Sequence, residues 1–324
     1  MNELAPTQPL PRELAIFDIS IMAGNVSSTT IEQYRIDFRQ YLLFAGEMDQ
    51  ALNPATLARW RQHVFEMGFV GKDGTLHTYS VSRINRMLAS VRSVMREAAA
   101  QGYIPHATAD GFRAVRGLKV TANKERRKAN ARTKITREQM VALCYVSNVE
   151  TAAGLMHRAL MLTLASSGVR ISEAISLTQS QVELCEDDHG RIGWVIQVAG
   201  KNLVDEKPRA LGQSAKLAID QWLAVRQELG IDVPPIFTGF AGRGNRPTEK
   251  PITRQGAWAM IKRYAKEVGL VDIKPHDFRR YVGTELAKVN LRLAQNQLGH
   301  KRIETTAQNY VLDEVAVGVT DELV

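Results

Sequence analysis

Cysteine is nearly absent from this chain of 324 residues. Cys144 and Cys185 are the only two, and their spacing suits neither a disulfide framework nor a thiolate metal site. A reducing cytosol is the expected setting. Long apolar runs are missing as well: none approaches the ~20 residues that cross a bilayer, so no membrane association is expected. Residues 1–12 hold three prolines and no apolar h-region. They read as a flexible leader and not as a secretion signal. No internal repeat or low-complexity tract is visible.

What is present is ordinary globular material with an unusual distribution of charge. Apolar residues make up 44% and the length suits two domains. The net charge is +8, and nearly all of it lies in one short stretch. Residues 1–118 carry 12 Lys and Arg against 11 Asp and Glu, and residues 135–324 carry 23 against 22. Residues 119–134 carry seven against one, including Lys119, Lys124, Arg126, Arg127, Lys128 and Arg132. Alone, such a run is often a solvated tether. Between two domains, it suits the tracking of a polyanion backbone.

Residues 13–118 read as a helical domain of four or five helices. Thr29 or Thr30 is the expected N-cap of a helix whose Ile31, Tyr34, Phe38, Tyr41 and Leu42 recur at helical spacing. Asn53-Pro54 opens a second helix, and Ser80 or Ser82 a long third one. The third carries Arg83, Arg86, Arg92 and Arg96, mostly off its apolar stripe. They form either a solvated face or a DNA-contacting one. Residues 135–324 read as a second, mainly helical domain opened by a capping box at Thr136 and Gln139. Its one small antiparallel sheet pairs Gly193–Val198 with Lys207–Leu211. Gly239–Pro247 reads as a loop.

The second half of the chain also contains an ordered set of reactive side chains. Ser167-Gly-Val-Arg-Ile-Ser-Glu173 comes first, then Gly200-Lys201, His276-Asp-Phe-Arg279, Leu298-Gly-His300 and finally Tyr310. Breaking and resealing a phosphodiester needs a side-chain oxygen that keeps the bond's energy in a covalent ester. It also needs permanent cations for the crowded phosphorus oxygens, and a proton donor for the departing 5′ oxygen. Two arginines, a lysine, two histidines and a tyrosine fill these roles with no metal, nucleotide or other cofactor. His276 and Arg279, three apart on one helix, share a face, whereas Arg280 points about a hundred degrees away.

The ordered set resembles the tyrosine recombinase, or phage integrase, family. The likeness is firm over residues 137–312 and a matter of layout before that. It implies an N-terminal SAM-like core-binding helical bundle joined by the basic linker to a catalytic domain, the simpler two-domain type without an arm-binding domain. It implies that Arg170, His276, Arg279 and His300 surround the scissile phosphate, that Glu173 orients an active-site side chain, and that Tyr310 is the nucleophile. Lys201 resembles the hairpin lysine that acts as general acid, with Lys207 as competitor. The gap from His300 to Tyr310 is one residue longer than usual, which suggests either a looped residue between Thr305 and Asn309 or a shift at the Gly-His turn.

By the same resemblance the protein is a site-specific recombinase of double-stranded DNA. It would clamp the duplex between its domains and assemble as a tetramer at synapsis, with residues 311–324 docking on a neighbouring protomer. Its setting would be cytoplasmic, on nucleoid, phage or plasmid DNA. A non-catalytic architectural protein would have lost some of these residues, and a nicking topoisomerase would share the chemistry.

Overall fold

The computed structural model describes residues 18–71, 74–123, 135–187, 189–199, 206–242, 246–271 and 273–310. The chain divides into two compact units between residues 131 and 132, inside the basic segment. Of that segment, Lys119 is described and exposed; Lys124, Arg126, Arg127, Lys128 and Arg132 lie outside the described residues, as do residues 1–12, Lys201 and residues 311–324.

The first unit is a helical bundle: α1 (Ser28–Ala45), the single turn α2 (Met48–Ala51), α3 (Pro54–Met67), α4 (Val81–Ala100) and α5 (His106–Ala114). A short hairpin, β1 (Phe69–Val70) with β2 (Leu76–His77), joins α3 to α4. The N-cap of α1 is Ser27, not Thr29 or Thr30; its hydroxyl accepts from the Thr30 amide and hydrogen bonds to both threonine hydroxyls. Ser80 caps α4 as expected. The core gathers Leu57, Trp60, Leu88, Val91, Met95 and Phe112 around Tyr41. Each such side chain contributes roughly 1.5–3 kcal/mol on burial. The Tyr41 ring meets Trp60 and Phe112 edge-on, and its hydroxyl donates to the Ala51 carbonyl at 2.9 Å.

The second unit begins with α6 (Arg137–Tyr145), where Thr136 and Gln139 form the expected reciprocal capping box. Next come α7 (Ala152–Ser167) and the short α8 (Ile171–Ile175). Met156, Ala159, Leu160, Met161 and Leu164 of α7 are all fully buried, and a helix apolar on nearly every side belongs at the centre of a domain. A three-stranded antiparallel sheet follows, β3 (Val182–Glu186), β4 (Ile192–Ala199) and β5 (Glu206–Leu211), in the order β3-β4-β5. The expected β4–β5 pairing is present, from Trp194↔Leu211 to Ala199↔Glu206. Ile196 and Val198 are buried on its inner face, while Lys216 sits 4.0 Å over the Trp194 ring.

Helix α9 (Gln213–Glu228) packs along α7 and buries Trp222, whose indole donates to the Ile236 carbonyl at 2.7 Å. The stretch read as a loop is instead a hairpin, β6 (Thr238–Ala241) and β7 (Arg246–Pro251). The fold closes with α10 (Arg254–Glu267), α11 (Pro275–Val289), α12 (Leu291–Leu298) and α13 (Ile303–Tyr310). Helix α13 is continuous through Tyr310, so no residue loops out between Thr305 and Asn309.

Candidate active site

The site forms where the ends of α7 and α12 meet α11, α13 and β5. Helix α7 stops at Gly168, and two residues later the chain turns into α8 with Arg170 at its N-cap. Glu173, one turn into α8, accepts from the Arg170 amide with one carboxylate oxygen and from the Arg170 guanidinium with the other, each at 2.7 Å. One carboxylate thereby fixes both ends of the arginine. The Arg170 side chain remains 39% exposed, so an anchored cation faces solvent.

Arg279 is held very differently. It is 3% exposed and donates to the Gly168 carbonyl at 2.8 Å and the Leu298 carbonyl at 2.5 Å. Those are the C-terminal ends of α7 and α12, where unpaired carbonyls concentrate negative potential. Burial, and then the nearby Arg170, lower its pKa, while the charge and hydrogen bond of Tyr310 and the charge of Glu173 oppose that shift. A guanidinium keeps its proton through such shifts.

The same nitrogen of Arg279 lies 3.2 Å from His300 Nε2. Arginine can only donate, so Nε2 accepts; the proton of the neutral ring then sits on Nδ1 and is given to Thr306 Oγ1 at 2.8 Å. Burial, with Arg279, Arg170, Arg209 and His276 around it, pushes the His300 pKa down to about 4, which keeps the ring neutral near pH 7. The turn that carries it is tight. The His300 amide donates to the Gln295 carbonyl at 3.1 Å, and the Gln295 side-chain Nε2 returns a bond to the His300 carbonyl at 3.0 Å. Gly299 has φ +65°, and a Cβ there would overlap the Arg209 guanidinium, so only glycine fits.

Tyr310 ends α13 and is 4% exposed. Its ring stacks on His300, with centroids 5.5 Å apart and planes 17° from parallel. Its other flank rests on the backbone of Gly283 in α11, where a Cβ would come within 2.5 Å of the ring. His276, on the first turn of α11, is solvent-accessible on one side and hemmed in on the other. That burial, followed by Arg280 and Arg279, lowers its pKa. It lines a cavity of about 480 Å³ with Ile171, Arg254, Trp258 and Lys274. Arg280 turns away, to Asp277 at 3.5 Å.

Arg170, Glu173, His276, Arg279, His300 and Tyr310 are thus brought together from four separate stretches of sequence. The segment with Lys201 is outside the described residues, but the strands on either side pair as a hairpin requires. Lys207, its competitor, is exposed on β5. Sequence reasoning missed Arg209, Gln297, Thr306 and Gly283 as parts of this site. A signal did exist for Arg209. It shares the face of β5 with Leu211, so a cation stands where strand alternation calls for an apolar residue.

Three of the four arginines of α4 have other partners. Asp37, fully buried, accepts from Ser90 at 2.8 Å and Gln33 at 3.0 Å and pairs with Arg83 at 3.5 Å and Arg86 at 3.4 Å. Arg92 donates to the Val115 carbonyl. Arg96 is exposed. Three of the four therefore hold the bundle together, whatever else they touch.

Residues 133–315 match the model of the phage integrase family. Tyrosine recombinase XerC of Thermodesulfovibrio yellowstonii is 25% identical over 297 residues, covering 89% of this chain and 87% of that protein. Tyrosine recombinase XerD of Neisseria meningitidis serogroup B is 30% identical over 184 residues, 55% of this chain and 57% of that protein. Among solved structures, the Tn1549 transposon integrase in complex with transposon right end DNA superposes with a TM-score of 0.62 at 16% identity, covering 97% of this chain and 98% of that one. A lambda integrase fragment bound to a core site gives 0.58 at 15% identity, covering 94% and 99%; at such identities the likeness is one of fold. The chain belongs to the phage integrase family, and with it to the tyrosine recombinases, enzymes of site-specific strand breakage and rejoining.

Proposed function

We propose that this protein recombines double-stranded DNA at a specific site through a 3′-phosphotyrosyl intermediate on Tyr310. The phenol gives up its proton as its oxygen attacks the scissile phosphorus, the bond to the 5′ oxygen breaks, and that oxygen takes up a proton, for which Lys201 is the assigned donor. The reverse attack by a 5′ hydroxyl reseals the strand and frees the tyrosine. Arg170 and Arg279 match the charge on the nonbridging oxygens. His276 completes the hydrogen-bonding wall around the phosphate, His300 holds Arg279 in place, and Glu173 holds Arg170.

One observation carries this reading. Arg170, Arg279 and Arg209 crowd around His300, the ring stacked on the buried Tyr310, with Glu173 as the carboxylate among them, and each arginine raises the cost of charging its neighbours. Such a surplus in a partly desolvated site is settled by a bound anion. The same reading assigns phosphate contacts to Lys119 and to Lys124, Arg126, Arg127, Lys128 and Arg132, contacts to the duplex by the exposed parts of Arg83, Arg86, Arg92 and Arg96, a place on nucleoid DNA, and four protomers at synapsis. In this assignment residues 13–118 bind the core site, residues 119–134 link, and residues 135–324 catalyse.

The test is a duplex nicked beside the cleavage position, which traps protein on DNA. Wild type should accumulate the covalent adduct, and Tyr310→Phe should form none while binding the duplex with unchanged affinity. An adduct with the phenylalanine variant removes Tyr310 from the role.

A further inference from the structure

We propose that Arg209 and Gln297 are positioning residues that fasten strand β5 to the Leu298-Gly299-His300 turn, holding that strand and the histidine beside the nucleophile in one register. The proposal rests on the recombinase reading of this site. It is argued from contacts that join β5 to α12 across 87 residues of sequence.

Arg209 is only 6% exposed, and burying a cation is unfavourable unless it is well partnered. Its Nη1 donates to the Asn296 carbonyl at 3.0 Å and the Pro208 carbonyl at 3.1 Å. The Glu173 carboxylate supports its charge. The other arm of the guanidinium lies against Gly299, in the space a side chain there would need. Helix α12 therefore ends under two arginines from different elements: Arg209 takes the Asn296 carbonyl and Arg279 the Leu298 carbonyl. Both bonds meet the negative end of the helix.

Gln297 supplies the second half of the fastening. β5 is an edge strand, the last in the order β3-β4-β5, so half of its backbone groups lack a neighbouring strand. Gln297 fills that place for one residue. Its Oε1 accepts from the Ala210 amide at 3.1 Å and its Nε2 donates to the Ala210 carbonyl at 2.9 Å. The same Nε2 reaches the Ser167 carbonyl at 2.8 Å, three residues before Arg170. One amide thus ties together the strand that follows residues 200–205, the helix end that presents Arg170, and the turn that presents His300. An apolar pair could fill this space, but it could not fix the strand along its own axis; paired hydrogen bonds to a single residue do.

Arg209→Met keeps length and removes every donor, and Gln297→Leu keeps volume and removes the amide. Each should slow adduct formation on the nicked duplex at saturating DNA by about tenfold or more, the effect of losing a set of paired hydrogen bonds, and in Gln297→Leu, which leaves the charge of the site intact, affinity for the duplex should be unchanged. Hydrogen exchange at the Gly299 and His300 amides should rise by a similar factor in both. If the two residues act as one device, the double variant is no slower than the slower single variant. Adduct rates and exchange at wild-type level in Gln297→Leu overturn the proposal, as do fully additive effects in the double variant; should Arg209→Met fail to fold, Gln297→Leu decides alone. If wild type forms no adduct, the recombinase reading falls, and exchange at the turn still decides whether the fastening exists.

Discussion

Replacing Gly283 by alanine should damage chemistry far more than stability, and the packing around it sets both magnitudes. Gly283 lies inside α11, where glycine is about 1 kcal/mol worse than alanine on propensity alone. A Cβ at this position would sit 2.5 and 2.7 Å from two carbons of the Tyr310 ring and 2.8 Å from a methyl of Leu298. Carbon atoms rest at about 3.5–4.0 Å, so the ring must retreat by about 1 Å. Overpacking costs about 1–3 kcal/mol; set against the propensity gain, the net loss is between roughly zero and 2 kcal/mol. Reaction is much less forgiving, since a displacement of about 1 Å from attack geometry costs on the order of 10²-fold in rate. Urea unfolding should show the small stability change. A quenched time course of adduct formation on the nicked duplex should show the large rate change, with DNA affinity held. An adduct rate within about threefold of wild type would refute the claim that the Gly283 backbone sets the position of the nucleophile.

Arg170→Ala and Arg279→Ala should each cut adduct formation by ~10²–10³, yet they should part on stability. Arg279→Ala orphans the Gly168 and Leu298 carbonyls and should cost about 2–4 kcal/mol. Arg170→Ala should cost less than about 1 kcal/mol, as for a partly exposed ion pair; equal losses in urea melts would contradict the capping role. His157, buried beside Tyr264, and His300 both have pKa values pushed down to about 4, by burial first and neighbouring arginines second. The unfolded chain takes up their protons near pH 6.5 and the folded chain does not, so stability is full above that pH and declines as pH falls toward 4. His157→Gln should make the dependence between pH 6.5 and 5 shallower by one proton, and an unchanged slope in pH-resolved urea melts speaks against a neutral buried His157. Replacing Arg126, Arg127 and Lys128 together by alanine should weaken binding to specific and random duplexes alike and lower the salt slope by ~0.9 per lost contact. An unchanged slope in fluorescence anisotropy would reduce that stretch to a solvated tether.

What could be read from the sequence was whatever its local chemistry determines. Helices were legible because caps and apolar spacing are local signals, as at Ser80 and at the Thr136–Gln139 box. Strand β3 escaped because four of its five residues are exposed and it has no alternating apolar face; only its pairing with β4 makes it a strand. The β6–β7 hairpin was hidden by glycines and by Pro247 and Pro251, which lie at the open edge of a two-stranded ribbon, where a missing donor is harmless. The reactive set stood out because each member sits in a short recognisable run. Arg209 and Gln297 lack such a run, since their meaning lies in hydrogen bonds across 87 residues. The α4 arginines show the opposite failure. Their helical spacing looked like a free basic face, whereas a single buried aspartate, Asp37, draws two of them inward.

The way this site balances its own charge bears on how it can wait for a substrate. Three arginines converge, and the carboxylate among them, Glu173, is already engaged by Arg170 at 2.7 Å. More carboxylates would relieve the repulsion, but they would cancel the positive field and compete with an incoming phosphate. The fold uses peptide carbonyls instead: Gly168 and Leu298 for Arg279, Asn296 and Pro208 for Arg209. Carbonyls at helix ends carry partial negative charge and satisfy guanidinium donors, yet they add no net charge to the site. Arg279 and Arg209 are therefore desolvated and fixed in direction in advance, while their field persists. His300 contributes to the same end by staying neutral under those cations and accepting from Arg279. Cations fixed in advance need no reorganisation when negative charge develops on phosphorus, which is where electrostatic catalysis gains most.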